Sequence, residues 1–181
     1  MNEPDLHERA ARIKLLLMDC DGVLTDGHIW LLENGEDQKA FHTRDGLGIE
    51  LFHRAGLKSG LISGRISSAV QRRAEGLGMS FVWQGREDKL QAFAETLDQA
   101  GVSNEEVAFV GDDLNDIPLM LRSGLAIAVA DAAAETREHA HYVTTARGGR
   151  GAVREVVELI LKSQGRWDDL VKKYLATDLT D

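Results

Sequence analysis

Short apolar runs alternate with one-sided apolar stripes along this chain. Residues 13–18 (IKLLLM) read as a buried strand and residues 60–62 as the end of a second. Residues 107–110 (VAFV), 125–129 (LAIAV) and 142–144 read as a third, fourth and fifth strand. Continuous apolar runs of this length fit parallel strands covered on both faces. Between them, Leu47, Ile49, Leu51 and Phe52 mark one helix, and Leu90, Phe93, Ala94 and Leu97 form a stripe at i, i+3, i+4, i+7 that Gly101 ends. The alternation predicts βαβ units, and so an α/β fold with a Rossmann-like parallel sheet and helices on both faces.

One segment departs from the alternation. Asn34-Gly35 lies between an apolar stretch at 29–31 and Ala40-Phe41, a strong hairpin signal. The charged flank Glu36, Asp37 and Lys39 suggests a β-hairpin projecting from the sheet. Near the end, Trp167, Leu170, Val171, Tyr174 and Leu175 trace an amphipathic helix, expected to pack on the core or a partner rather than to act as a lid.

Length sets the scale: 181 residues suit one domain over 1–181, with a short N-terminal extension (about 1–12) and a C-terminal helical tail (about 164–181). Lys and Arg total 21 against 30 Asp and Glu, a net charge of −9, which argues against a nucleic-acid partner held by a basic surface. A local basic pocket for an anionic substrate remains compatible with that balance. Cys20 is the single cysteine, so no intrachain disulfide forms and a reducing compartment fits. Residues 1–14 carry Glu3, Asp5 and Glu8 without the apolar stretch of a signal peptide. No apolar run approaches the roughly 20 residues of a membrane span. The expectation is a soluble, cytoplasmic protein with no membrane partner.

The chemistry gathers where strands end. Residues 19–27 (DCDGVLTDG) directly follow the first strand, and residues 111–116 (GDDLND) follow VAFV. Ligands of open parallel sheets collect beyond the carboxyl ends of the strands, so two acidic clusters there converge on one site for a hard cation. Mg²⁺ suits a few carboxylates and phosphate oxygens. Ser63-Gly64-Arg65 after the second strand offers a hydroxyl, backbone N–H groups and a cation, and Lys89 opens the Leu90–Leu97 helix. Phosphoryl transfer needs such fixed donors, and a carboxylate can itself be the nucleophile. Taken singly, each element has a plain reading: Asp-x-Asp-Gly and Ser-Gly as turns, Gly-Asp-Asp as a helix cap, Lys89 as a solvated charge. Val23 at the fifth position excludes an EF-hand loop. Cys20 has Asp26, not Arg, where a thiol phosphatase needs its arginine, and His139 and His141 complete no metal set. Their common order and placement favour a joint role for the acidic clusters, Ser63 and Lys89.

Arg44, Arg65 and Arg150 are candidates for binding a carboxylate, which arginine grips with two parallel hydrogen bonds. The N–H groups of residues 148–151 (GGRG) precede a helical pattern and either hold an anion or simply turn the chain.

The ordered set resembles the haloacid dehalogenase superfamily of Mg²⁺-dependent phosphatases. Residues 19–27 look like its first motif, Ser63-Gly64-Arg65 its second, Lys89 its third and residues 111–116 its fourth. The resemblance implies that Asp19 is nucleophile and metal ligand. Asp21 becomes the general acid and base, with its backbone carbonyl on Mg²⁺. Asp112 is the third protein ligand, Ser63 and Lys89 hold the phosphoryl group, and Asp113 and Asp116 support them. Thr25 and Gly64 join the three arginines as substrate-binding residues.

Asn34-Gly35-Glu36, Lys39-Ala40-Phe41, Arg44-Asp45-Gly46 and residues 148–156 (GGRGAVREV) resemble, within the superfamily, phosphatases of phosphorylated 3-deoxy-2-keto sugar acids. That implies a hydrolase of lipopolysaccharide precursor synthesis and a homotetramer. Cys20 stands where this group usually has Val or Ile. The competing expectations are a phosphatase for another sugar acid, such as a nine-carbon nonulosonate 9-phosphate, and a phospho-accepting receiver domain. A receiver, however, carries its acid pair and its acceptor Asp on different strands, unlike Asp19-x-Asp21.

Spacing bears on assembly. About 36 residues separate Thr25 from Ile62 and roughly 20 separate Ser63 from Gly85, too few for a separate cap domain. The hairpin at 29–41 of one subunit is therefore expected to wall the site of its neighbour.

Overall fold

The computed structural model describes residues 3–175. The central strand is β1 (Leu15–Met18), whose four residues are all buried, as its unbroken apolar run requires. It lies between β4 (Lys58–Ile62) and β6 (Val107–Gly111). With β5 (Phe81–Trp83), β7 (Leu125–Ala128) and β8 (Tyr142–Val143) they form one six-stranded sheet in the order β5-β4-β1-β6-β7-β8, parallel at every pairing. The expected α/β architecture is thus present, with one strand more than the apolar runs announce. β5 escapes them because it is three residues long and only partly buried.

The chain leaves β1 for β4 and β5, then crosses back to β6 and β7. With right-handed crossovers that reversal distributes helices over both faces. On one face α2 (Thr43–Arg54) packs along α7 (Ala152–Ser163), and on the other α4 (Lys89–Ala100) meets α5 (Ile117–Met120). α3 (Ser68–Gly76) follows β4, and α6 (Ala134–Glu138) contacts β7. Asp45, wholly buried in the first turn of α2, accepts the N–H groups of Gly151 (3.1 Å) and Arg154 (2.8 Å) at the start of α7. The two helices are therefore joined at the end where the site lies.

The N-terminal segment expected as an extension is helix α1 (Glu3–Ala11), laid against α7. Leu6 and Ala10, spaced i and i+4, give it an inward face, and Ile13 just past its end joins the same core. α8 (Trp167–Leu175) packs on α7 and α2: Leu170 is buried, the Arg154 guanidinium lies 5.0 Å over the Trp167 ring, and Arg54 donates to the Tyr174 hydroxyl at 2.9 Å. Residues 176–181 of the expected tail lie outside the described residues.

The hairpin stands apart from the main sheet. β2 (Trp30–Leu31) pairs antiparallel with β3 (Asp37–Gln38), and Leu32 N–H donates to Glu36 C=O at 2.9 Å across the turn. Its outer residues are apolar and open, Trp30 at 64% exposure and Leu31 at 76%.

Candidate active site

Parallel register builds the site. Met18 is level with Leu61 of β4 and Val110 of β6, so the residues following the three strands emerge at one edge. Asp19 follows β1, Ser63 follows β4, and Asp112 follows β6. They line one cavity of about 220 Å³ together with Asp21, Gly64, Arg65, Lys89, Asp113 and Asn115.

Lys89 organises the acids. It sits at the first turn of α4, whose N-cap Asp88 accepts the N–H groups of Leu90 and Gln91. Its ammonium is nearly buried and donates to Asp19 Oδ1 at 2.9 Å and to Asp116 Oδ1 at 2.8 Å. Asp116 is fully buried, and its other oxygen accepts Asp112 N–H at 3.0 Å. Asp116 thus folds the 111–116 loop back on itself and fixes the direction of Asp112.

The electrostatics are lopsided. Carboxylate oxygens of Asp19, Asp112 and Asp116 lie within 4.8 Å of one another. Among the described residues Lys89 is the one cation paired to this cluster, and its own pKa, lowered by burial, is held up overall by Asp19 and Asp116. Burial first, then the charge of Asp116, pushes the Asp19 carboxyl above its usual range, while Lys89 pulls it back. Asp112 is pushed up to about 8 by burial and by the charge of Asp19. A group of hard oxygen donors crowded beyond what one ammonium neutralises fits a divalent cation such as Mg²⁺. Both Asp116 oxygens already have protein partners, whereas Asp19 has only Oδ1 engaged, by Lys89.

The turn after β1 requires a glycine. Gly22 has φ +92°, and a Cβ there would fall 2.0 Å from Asp112 Oδ2. The loop bearing Asp21 therefore passes directly over the Asp112 carboxylate.

The remaining expected residues divide. Ser63 is buried at the cavity wall, and its Oγ accepts Arg65 N–H at 3.2 Å. Arg65 is exposed, with Nε 3.8 Å from Asp21 Oδ2. Asp113 is exposed and caps the following turn through Leu114 N–H at 2.8 Å. Thr25 is turned inward: it is fully buried, its hydroxyl donates to Cys20 C=O at 3.4 Å, and it braces the loop rather than lining the cavity. Arg44 and Arg150 line a different, neighbouring cavity of about 710 Å³ with Tyr142, Arg154 and Glu155, and Arg150 pairs with Asp26 at 3.0 Å. The anion-holding option for residues 148–151 is filled from within the chain. Gly148 N–H donates to Asp131 at 3.0 Å, Gly149 N–H to Val23 C=O at 2.8 Å, and Gly151 N–H to Asp45 at 3.1 Å.

Two participants escape the sequence pattern. Asn115 lines the cavity, unmarked because an Asn between acids reads as loop. Lys39, in the charged flank of the hairpin, has a wholly buried side chain ion-paired to Asp21. Its signal is the Lys-Ala-Phe step from a charged turn into apolar sequence.

Known proteins share this arrangement. A family model for haloacid dehalogenase-like hydrolases matches residues 62–156. The chain is 45% identical over 165 residues to 3-deoxy-D-manno-octulosonate 8-phosphate phosphatase KdsC of Escherichia coli (strain K12), covering 91% of this chain and 88% of that one. A crystal structure of the phosphatase of that name from Yersinia pestis superposes with TM-score 0.89 at 45% identity, over 91% of this chain and 89% of that one. The Moraxella catarrhalis phosphatase, solved with magnesium, phosphate and a KDO molecule, superposes with TM-score 0.93 at 39% identity, over 96% of this chain and 99% of that one. The strand-end acids, their bridging lysine and this kinship across nearly the whole chain place the protein in the haloacid dehalogenase-like hydrolase family.

Proposed function

We propose that this protein is a Mg²⁺-dependent phosphatase that hydrolyses 3-deoxy-D-manno-octulosonate 8-phosphate to the free sugar acid and phosphate, in lipopolysaccharide precursor synthesis. The observation that carries the reading is the meeting of Asp19, Asp112 and Asp116 around Lys89, in a chain 45% identical to KdsC.

The side chains of Asp19 and Asp112 and the backbone carbonyl of Asp21 would hold Mg²⁺. When bound, the ion neutralises charge on the phosphoryl oxygens. Ser63 and Lys89 hold the phosphoryl group in position. An Asp19 oxygen attacks phosphorus in line, and the bond from phosphorus to the sugar oxygen breaks. Asp21 gives that oxygen its proton. The resulting aspartyl phosphate is opened by water, whose proton returns to Asp21, and phosphate leaves as the Asp19 carboxylate reforms.

Assembly belongs to the same reading. The 220 Å³ cavity is smaller than the roughly 300–1,000 Å³ usual for small-molecule sites. The open apolar pair Trp30 and Leu31 lies on the hairpin whose base residue Lys39 pairs with the cavity-lining Asp21. A homotetramer in which this hairpin walls a neighbour's site supplies the missing enclosure. A cytoplasmic location completes the proposal, and the buried free thiol of Cys20 fits a reducing compartment.

The test is phosphate release from a panel of sugar-acid phosphates with Mg²⁺ present. The eight-carbon 3-deoxy substrate should give the highest kcat/KM. A preference for nine-carbon acids or simple phosphate esters overturns the narrow assignment.

A further inference from the structure

Lysine is among the residues least often fully buried, and when buried it is paired. Lys39 follows β3 at the base of the hairpin, and its side chain has no exposure. Its ammonium is ion-paired to Asp21 Oδ1 and lies 3.4 Å from Asp37 Oδ2. Asp37 is itself held, since its Oδ1 accepts the Ser67 hydroxyl at 2.7 Å. Ser67 caps α3 through Val70 N–H, and its own N–H donates to Gln84 at 2.8 Å. An unbroken chain of polar contacts therefore runs from the cap of α3 through the hairpin base to Asp21.

Asp21 is gripped unevenly. Lys39 takes Oδ1, while Oδ2 faces the cavity-lining Arg65. An ammonium only donates, so Oδ1 is engaged as its acceptor and Oδ2 is the oxygen turned toward Arg65 and the cavity. We propose that Lys39 is a positioning residue for the reaction: by holding Oδ1 it locks the Asp21 carboxyl with Oδ2 turned toward the cavity where the leaving group would lie. The assignment rests on Asp21 being the general acid. A lysine that merely fastened the hairpin would show no selectivity between leaving groups.

Leaving groups separate the two roles. A sugar alkoxide needs a proton as it departs, whereas p-nitrophenolate does not. Lys39→Met and Lys39→Gln are compared with the native enzyme on the sugar-acid phosphate (kcat and KM) and on p-nitrophenyl phosphate (first-turnover release of nitrophenol). Orienting partners of functional groups are typically worth about 10–100-fold. A fall of that size is expected in kcat on the sugar substrate, with KM and the nitrophenol first turnover changed by no more than about three-fold. An equal fall on both substrates, a rise in KM alone, or no change overturns the proposal. Should Lys39→Met fail to fold, the same comparison on Lys39→Gln decides. Asp21→Asn is the control. If it shows no leaving-group selectivity, the acid assignment fails and Lys39 with it. If it does and the Lys39 variants do not, the Lys39 assignment alone fails.

Discussion

Gly148 and Gly22 touch backbone to backbone: a Cβ on Gly148 would stand 1.6 Å from the Gly22 carbonyl oxygen. The 148–151 loop is thus a rest for the Asp21-bearing loop, held further by the Gly149 N–H to Val23 C=O bond at 2.8 Å. Overpacking of this kind costs about 1–3 kcal/mol. Gly148→Ala should lower the thermal midpoint and also reduce kcat, because the loop that yields carries Asp21. Unchanged kcat in a folded Gly148→Ala protein would show that the contact does not position the loop.

Charge crowding at Asp112 makes a prediction about the metal. The carboxyl is held up to about 8 by burial and the Asp19 charge, so ionising it in the metal-free protein is unfavourable. Mg²⁺ should raise the thermal midpoint by mass action on the folded state. Asp112→Asn should raise the midpoint of the metal-free protein and remove the gain with Mg²⁺. Chelation should abolish turnover. Differential scanning calorimetry with and without Mg²⁺ reads both effects, and an unaltered Mg²⁺ response in Asp112→Asn would remove Asp112 from the ligand set.

His53 sets a pH dependence of stability away from the site. Burial depresses its pKa below the ordinary 6.5, and its Nε2 lies 2.8 Å from the Ser59 hydroxyl. The unfolded chain therefore binds the proton more readily than the folded one. The stabilisation is full above the unfolded pKa and is lost as pH falls through the lower folded value. Urea unfolding at pH 7.5, 6.5 and 5.5 (spanning roughly the histidine range) should show a decline that is shallower in His53→Gln. An identical slope in the variant would assign the acid sensitivity elsewhere.

The hairpin carries the prediction about assembly. Trp30 and Leu31 are 64% and 76% exposed. Replacing both with Ser should leave the fold of the subunit intact, shift the sedimentation coefficient toward a smaller species and lower kcat/KM. A variant with unchanged sedimentation coefficient and full activity would rule out the hairpin as a shared wall.

The sheet was legible because its central strands are unbroken apolar runs, and the site was legible because its acids stand immediately after them. β5 was not, since Phe81, Val82 and Trp83 are all only partly buried. Nor was α1, whose inward pair Leu6 and Ala10 stands among charged residues. The importance of Asp116 depends on Lys89, 27 residues away, a pairing that local pattern does not report. Lys39 misleads for the same reason: its neighbours are charged, and the partner that draws it inward lies 18 residues earlier.

The small size of the cavity has an evolutionary consequence. On the proposed reading, bonds break in a recess of only about 220 Å³, too small to enclose a phosphorylated eight-carbon sugar acid whole, so the far end of the sugar chain would be judged by the rim and by the hairpin. Those surfaces can change without disturbing the strand ends. New substrate preferences should therefore arise among hairpin and rim residues, while the recess beneath them stays constant.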